Sequence, residues 1–580
     1  MWTSEREPVG LPFLDTKYED GFPPPDDFPK VSWIAKVGSS LAKTILGTTR
    51  GTIGVGEVAE ALSSPTEARN FANRISALIK GSTREERPGD IGDYEDLHAF
   101  PIKTPESVAD YEDDDTFCRL RLQGPNCVVL EKCTASTRSK LKILDTDPTY
   151  ASMKKRVDSL MEAGKLFVVD HELLRGMEAS KLDGETDRSL SPSIALFEAI
   201  DDKLLPIKPI GIQLSLGDEA TPIFTPEDGY TWMIAKSCFE AADFIIHEVV
   251  SHLGNTHCVL EGPMTAINRQ LPKEHPINAL MEPHVEGTAL INWGAQNLLI
   301  VEGGGVDRLT ANKIQDNWSL VLKTTVKRIS KDFTPMADFA ERGVTAKDFP
   351  GRYPYRDLGL KYYDATHTWV SEYLDIYYHN DNDVDNDYEL QAFIGELVDF
   401  GAMAVADKVR TGPNKLDELK KASDLRTRLD TLLASLIYTA STLHAAVNFP
   451  QKTIMSFAPM TPASVYQPPP TDKKPRSFDD YLAYLPPLEI ATQQTVVGTL
   501  LGSIFHTKLG DYEADQFRDE RVRGPLSKFQ QALEEIEEEI IDDNAMITAA
   551  WKARGKGRKP AANFAYKTLL PDDIPQSINI

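Results

Sequence analysis

Three of the chain's eleven histidines fall within eleven positions: His247, His252 and His257, in the segment IIHEVVSHLGNTHCV. Apolar residues precede them at helical spacing, so the segment reads as a buried or half-buried helix. Buried imidazoles need partners, and a metal is a common partner for clustered ones. HEVVSH has the outline of a zinc-peptidase HExxH, but that motif sets two histidines at i and i+4 on one face. Here each separation is five residues, about 500° of α-helix, which leaves successive rings roughly 140° apart. Two of them converge only where the helix is wound wider, as in an i→i+5 π-type turn. Gly254 and Asn255 are weak α-helix formers, so the distortion is easiest between His252 and His257.

Nearly two hundred residues downstream, STLHAAVNFPQ places His444 and Asn448 at i and i+4, one above the other on a helix face. Ala445 and Ala446 between them permit close helix approach. A single buried histidine is more often a satisfied core residue than a ligand. Two buried helices that each offer imidazoles at compatible pitch point instead to one shared centre. Ligation by imidazole and amide oxygen without thiolate suits a redox iron or manganese better than structural zinc. Such a centre does oxygen or hydroxide chemistry on a substrate held in an apolar pocket.

The elements that must carry these residues are mostly helical in pattern. YTWMIAKSCFEAADFIIHEVV, KLDELKKASDLRTRLDTLLASLIYTASTLHAAVNF and FQQALEEIEEEIIDDNAMITAAWKA are the longest examples. CVVLEK, LFVVDHE and IGIQLSL are the few strand-like pieces, so the fold class is mainly α with few short strands. Residues 1–100 read as a Pro- and Asp-rich arm followed by a helical extension, with the acidic stretch 88–115 as a boundary or a long surface loop. Residues 101–580 read as one continuous unit. NDNDVDNDYE (380–389) lacks the central Gly and the terminal Glu of an EF-hand, and a capped helix start accounts for it better. The acidic run 532–545 reads as a solvated helix face and KARGKGRKP as a surface loop.

Charge and composition narrow the functions. With 63 Lys plus Arg against 88 Asp plus Glu, the net charge is 63 − 88 = −25, which repels phosphate backbones and disfavours nucleic-acid partners and anionic lipid. Five cysteines without a CxxC pair favour neither a disulfide framework nor a thiolate zinc site. The N-terminus lacks a basic n-region followed by an apolar run, and no membrane span is apparent, so a cytoplasmic protein, monomeric by preference, is expected.

The segment His247–His284 resembles the first iron-helix signature of the lipoxygenases, with histidines at 247, 252, 257, 275 and 284 in matching register. HAAVNFPQ (His444–Gln451) is similar to the second iron helix, and the tail PQSINI to the family's terminal isoleucine. Weaker likenesses lie in FCRLRLQGPN, YPYRDLGLKYYDATHTWVSEYLDIYY and YLPPLEIATQQ. The resemblance implies a large helical catalytic domain built around two long metal-bearing helices, without the N-terminal β-sandwich of many relatives. It implies non-haem iron held by His252, His257, His444, Asn448 and the terminal carboxylate of Ile580. Gln451, Glu248 and His247 would stand just behind these ligands, with Glu248 hydrogen-bonding Gln451.

It also implies an enzyme whose ferric-hydroxide centre abstracts hydrogen from a polyunsaturated fatty acid with a (1Z,4Z)-pentadiene. Molecular oxygen then adds to give a conjugated hydroperoxide. Ala295 aligns where alanine accompanies S products, Leu299 would line the pocket, and Arg308 and Leu309 are further pocket residues. Manganese relatives usually shorten the first ligand pair and end in valine; this chain does neither, so iron is favoured. Two other functions stay open: a hydroperoxide isomerase on the same fold, and a metal-bound fatty-acid-binding protein without turnover.

Overall fold

The protein is described from a computed structural model over residue 70 and residues 87–98, 102–182, 186–215, 221–399, 424–503, 507–554 and 565–578. The helices expected over 31–80, most of the basic run 552–560, and Ile580 lie outside the described residues.

Strands are few and short, as the pattern predicts: β1 (Glu131–Lys132), β2 (Leu166–Asp170), β3 (Lys181–Leu182), β4 (Thr186–Asp187), β5 (Ile194–Ala199), β6 (Ile207–Gln213) and β7 (Ile223–Phe224). Five form one antiparallel sheet in the order β1-β2-β5-β6-β7. Side chains alternate across it. Phe167, Val169, Ala195, Phe197 and Phe224 join the main core, whereas Leu166, Val168, Ile194, Leu196 and Ile223 face a smaller cluster around Val157. With both faces covered, β2 reads as an unbroken apolar run. LFVVDHE and IGIQLSL correspond to β2 and β6, CVVLEK supplies only the two residues of β1, and β5 was not anticipated.

The helices that position the site are α1 (Asp114–Gln123), α2 (Tyr230–Ile245), α3 (Cys258–Gln270), α4 (Thr288–Gly294), α5 (Gly305–Leu309), α6 (Ile314–Ile329), α7 (Leu425–Tyr438), α8 (His444–Asn448), α9 (Leu488–Leu501) and α10 (Arg523–Arg554). Between α2 and α3 the chain stays helical but winds as a π-helix over Ile246–His257. The π winding expected between His252 and His257 is present and starts six residues earlier. Further π segments among the described residues are Ala295–Leu299 after α4, Thr439–Leu443, which joins α7 to α8, and Gln451–Met455 after α8.

The stretch Leu425–Met455 is long and apolar enough to cross a membrane, with mean hydropathy 1.3, yet 94% of that window is buried inside the protein. It is a core helix. Gly254 lets α6 come close: a Cβ there would sit 3.1 Å from the Val249 carbonyl oxygen and 3.3 Å from the Thr324 and Thr325 hydroxyls. Thr325 donates to the Gly254 carbonyl at 2.8 Å.

The acidic stretch 88–115 is docked on the core through Tyr94, which is buried and donates to the Pro486 carbonyl at 2.7 Å. Asn380 and Asp383 form a capping box at the start of a short helix, Asp381–Asn386, that precedes the helix over ELQAFIGELVDF instead of opening it. In α10, Phe529, Leu533, Ile536, Ile540, Ile547 and Trp551 turn inward and leave the acidic side to solvent.

Candidate metal centre

The wider π pitch brings His252 and His257 onto one side, facing His444 of α8. His252 Nε2 lies 3.3 Å from His444 Nε2 and 3.2 Å from His257 Nε2, and all three rings are buried. These spacings are close to the roughly 3 Å that separates two cis nitrogens each about 2.1 Å from one ion.

The tautomers fit as well. His257 Nδ1–H donates to Asn292 Oδ1 at 3.0 Å, which leaves Nε2 as a lone pair aimed at the other two rings. Burial, with repulsion from His252, pushes the His257 pKa down to about 3. Burial also lowers that of His252 despite the nearby Glu248. Buried imidazoles whose ε-nitrogens converge make a cation site.

Asn448 stands one turn beyond His444. Its Nδ2 donates to the Leu501 carbonyl at 3.0 Å, and its Oδ1 accepts from Gln451 Nε2 at 2.9 Å. Gln451 is fully buried, and its Oε1 has no hydrogen-bond partner among the described residues. Glu248 faces the imidazoles instead of Gln451: its carboxylate oxygens lie 3.5 Å from His247 Nδ1 and 3.8 Å from His252 Nδ1. Burial opposes its ionisation, but the two histidines beside it prevail and hold the carboxyl at about 2. His247 Nε2–H donates to the Val447 carbonyl at 2.7 Å, tying the two histidine-bearing helices together.

Of the expected pocket residues, Ala295 and Leu299 pack with Ile246, Val250 and Leu253 of the π segment. Leu309 packs with Phe244, Met455 and Ile490. Arg308 is engaged by Gln493 at 2.8 Å and Glu489 at 2.9 Å.

The other two histidines of the signature hold structure. His275 Nδ1 accepts from the Ile277 amide and its Nε2–H donates to Asp387, so neither nitrogen has a lone pair for an ion beside Asp387 and Glu389. His284 Nδ1–H donates to the Gln576 carbonyl at 2.8 Å and its Nε2 accepts from Tyr512 at 3.0 Å, which secures the tail leading to Ile580.

Sequence reasoning missed Asn292 and the pair Asn126–Ser251. Ser251, adjacent to His252, donates to Asn126 Oδ1 at 2.7 Å. The only signal available was a polar residue inside an apolar helical run, which needs a partner when buried.

The lipoxygenase family model matches residues 93–571. The linoleate 9/13-lipoxygenase of Pseudomonas aeruginosa is 32% identical over 549 residues, covering 87% of this chain and 73% of that protein. The human polyunsaturated fatty acid lipoxygenase ALOX15B is 32% identical over 443 residues, 75% of this chain and 63% of its own length. Among solved structures, a calcium-dependent 11R-lipoxygenase superposes with a TM-score of 0.77 at 25% identity, covering 100% of this chain and 78% of the other. A match of this extent, around a site whose donors suit iron, means that the chain belongs to the lipoxygenase family, enzymes that use non-haem iron to add dioxygen to fatty acids.

Proposed function

We propose that the chain dioxygenates polyunsaturated fatty acids with a (1Z,4Z)-pentadiene, linoleate among them, to conjugated hydroperoxides of S configuration. The observation that carries this reading is the convergence of three buried ε-nitrogens beside the apolar side chains of the π segment. His252, His257 and His444 would hold iron, with Asn448 and the α-carboxylate of Ile580 as oxygen donors. Bound there, iron supplies a one-electron acceptor for oxidation of a bis-allylic C–H bond.

The chain's own residues do the rest. Asn292 keeps the His257 proton on Nδ1, and Gln451 and Leu501 fix the Asn448 amide. The apolar side chains around Ala295, Leu299 and Leu309 exclude water and orient the alkyl chain. Net conversion is RH + O₂ → ROOH: one C–H bond breaks, one C–O and one O–H bond form, and no external reductant is consumed. The small Ala295 supports the S assignment, and Ala295→Gly should move the product toward R on chiral analysis.

The test is aerobic incubation of the iron-loaded full chain with linoleic acid, following oxygen uptake and conjugated-diene absorbance beside a variant lacking Ile580. Uptake with diene formation in the parent, lost in the variant, is expected. A hydroperoxide isomerase is the second reading, favoured by the 30% identity over 487 residues to the rat hydroperoxide isomerase ALOXE3. Consumption of a preformed hydroperoxide without oxygen uptake on linoleate would establish that reading instead. Binding of fatty acid with neither reaction would identify a carrier.

A further inference from the structure

Arg121 is 1% exposed, and its guanidinium is committed along one edge only. Nη2 donates to both oxygens of Glu240 at 2.7 and 2.9 Å, and Nη1 donates to Asp243 Oδ2 at 3.3 Å. The remaining group, Nε–H, is buried and has no hydrogen-bond partner among the described residues. The same holds for two other buried atoms, Thr461 Oγ1 and His247 Nδ1. The Glu248 carboxylate stands 3.5 Å from His247 Nδ1, beyond the roughly 2.7–3.2 Å of a hydrogen bond.

These three unpaired groups share one space. Arg121, Thr461 and His247 line a small cavity, with Leu120 and Pro125 among its apolar walls. It gives the centre of a water-sized sphere about 10 Å³, which is room for one water molecule. Charge narrows the occupant further. The Arg121 guanidinium repels a cation, and Glu240 and Asp243, which line the same cavity, repel an anion. A small neutral molecule that both donates and accepts is what fits.

The donor count matches water. His247 spends its Nε2–H on the Val447 carbonyl at 2.7 Å, so the neutral ring offers a lone pair at Nδ1. A water that accepts from Arg121 Nε–H and donates to His247 Nδ1 keeps one hydrogen and one lone pair, and the Thr461 hydroxyl can use either. We infer that this cavity is a water site, and that the bound water carries the hold of Arg121 onto His247. Arg121 is then a positioning residue that acts through the water. Its bond at Nδ1 keeps the His247 proton on Nε2, where it joins the π segment to α8 and so keeps His252 facing His444. The inference is independent of which substrate the centre takes.

A crystal structure of the full chain that resolves ordered water should show one molecule within hydrogen-bond reach of Arg121 Nε, Thr461 Oγ1 and His247 Nδ1. A dry cavity would overturn the inference. In solution, Thr461→Val replaces the hydroxyl by a methyl of nearly the same shape. Where a water bonds that hydroxyl, the thermal midpoint should fall by about 1 °C, the size of one hydrogen bond in a chain of this length. Where nothing bonds it, the variant sheds an unpaired buried hydroxyl and the midpoint rises, which rejects the site.

A double-mutant cycle then tests the bridge. Thr461→Val and His247→Leu each remove one partner of the same water, so the double variant should lose less stability than the sum of the two single losses. Additive losses would show that the two side chains share no molecule. The hold on His247 is read from chelator release of the iron-loaded full chain, which should be faster in Thr461→Val than in the parent. Thr461→Ser, which keeps the hydroxyl, should release iron as the parent does. Equal release from all three would reject the positioning role of Arg121.

Discussion

His257 is governed by the nitrogen that faces away from the centre. Its Nδ1–H donates to Asn292, whose Nδ2 in turn donates to Glu261 Oε2 at 2.9 Å and to the His257 carbonyl at 3.3 Å. The amide is clamped, so the imidazole has one tautomer and one orientation. Changing Asn292 to Leu would leave a buried Nδ1–H unpaired, at about 1–3 kcal/mol. Loss of a hydrogen-bond partner behind a metal ligand also typically lowers affinity by about 10–100-fold. Asn292→Leu should therefore release iron to a chelator faster than the parent and melt earlier, whereas Asn292→Asp, which keeps an acceptor, should hold iron better than the leucine variant. Equal iron retention in parent and leucine variant would show that Asn292 does not orient the ligand. The same logic makes His275 a poor ligand: with both its nitrogens committed to Ile277 and Asp387, proximity to carboxylates is not enough.

At the scale of elements, the site depends on a helix that is not an α-helix. The five-residue spacing of the histidines required a wider winding, and the structure supplies it over all of Ile246–His257. A buried polar network flanks this segment. Ser251 donates to Asn126 Oδ1, Asn126 Nδ2 donates to Asp243 Oδ1 at 2.7 Å, and Asp243 also meets Arg121 Nη1 at 3.3 Å and His171 Nε2 at 3.1 Å. Arg121 is paired with Glu240 through two bonds of 2.7 and 2.9 Å.

The pairing of His252 with His257 was legible in the sequence because types and spacing within one helix are local information. So was the mainly helical fold, because apolar periodicity is local too. Asn126 was not legible, since it meets Ser251 across 125 residues of chain and nothing near it in sequence announces the contact. Strand β5 was missed because IALFEA, buried on both faces, lacks the alternation that marks a half-exposed strand. Asn126→Leu orphans Ser251 and takes from Asp243 Oδ1 one of its two donors, leaving His171, so urea denaturation should show a loss of about 2–4 kcal/mol, from about 1–3 kcal/mol for the abandoned hydroxyl and about 1 kcal/mol for the lost bond to Asp243. Ser251→Ala should lose about 1 kcal/mol. Equal losses in the two variants would mean that Asn126 does not link the segment to the buried acids.

At the scale of the whole molecule, the described segment that leads to Ile580 is held by ordinary hydrogen bonds to residues far from it in sequence. The Leu509 amide donates to the Ile574 carbonyl, the Gln576 amide to the Thr507 carbonyl, and Gln576 Nε2 to the Asp511 carbonyl, at 2.8, 2.8 and 2.9 Å. His284 adds the bond to the Gln576 carbonyl, and Ile578 is buried. Burial, only partly offset by that carbonyl, lowers the His284 pKa to about 4. The unfolded histidine takes up a proton near pH 6.5, whereas the folded one resists until about 4, so the unfolded state binds more protons between those values and stability falls as the pH drops through them. The full shift corresponds to about 3 kcal/mol, of which about 2 kcal/mol is lost by pH 5. Urea denaturation of the parent and of His284→Asn at pH 7.5 and pH 5 isolates this contribution from the other titrating groups. The parent should lose more stability than the variant over that interval, by roughly the 2 kcal/mol assigned to His284, and should release iron more readily as the tail loosens. Identical losses would remove His284 as the pH-sensitive hold on the tail.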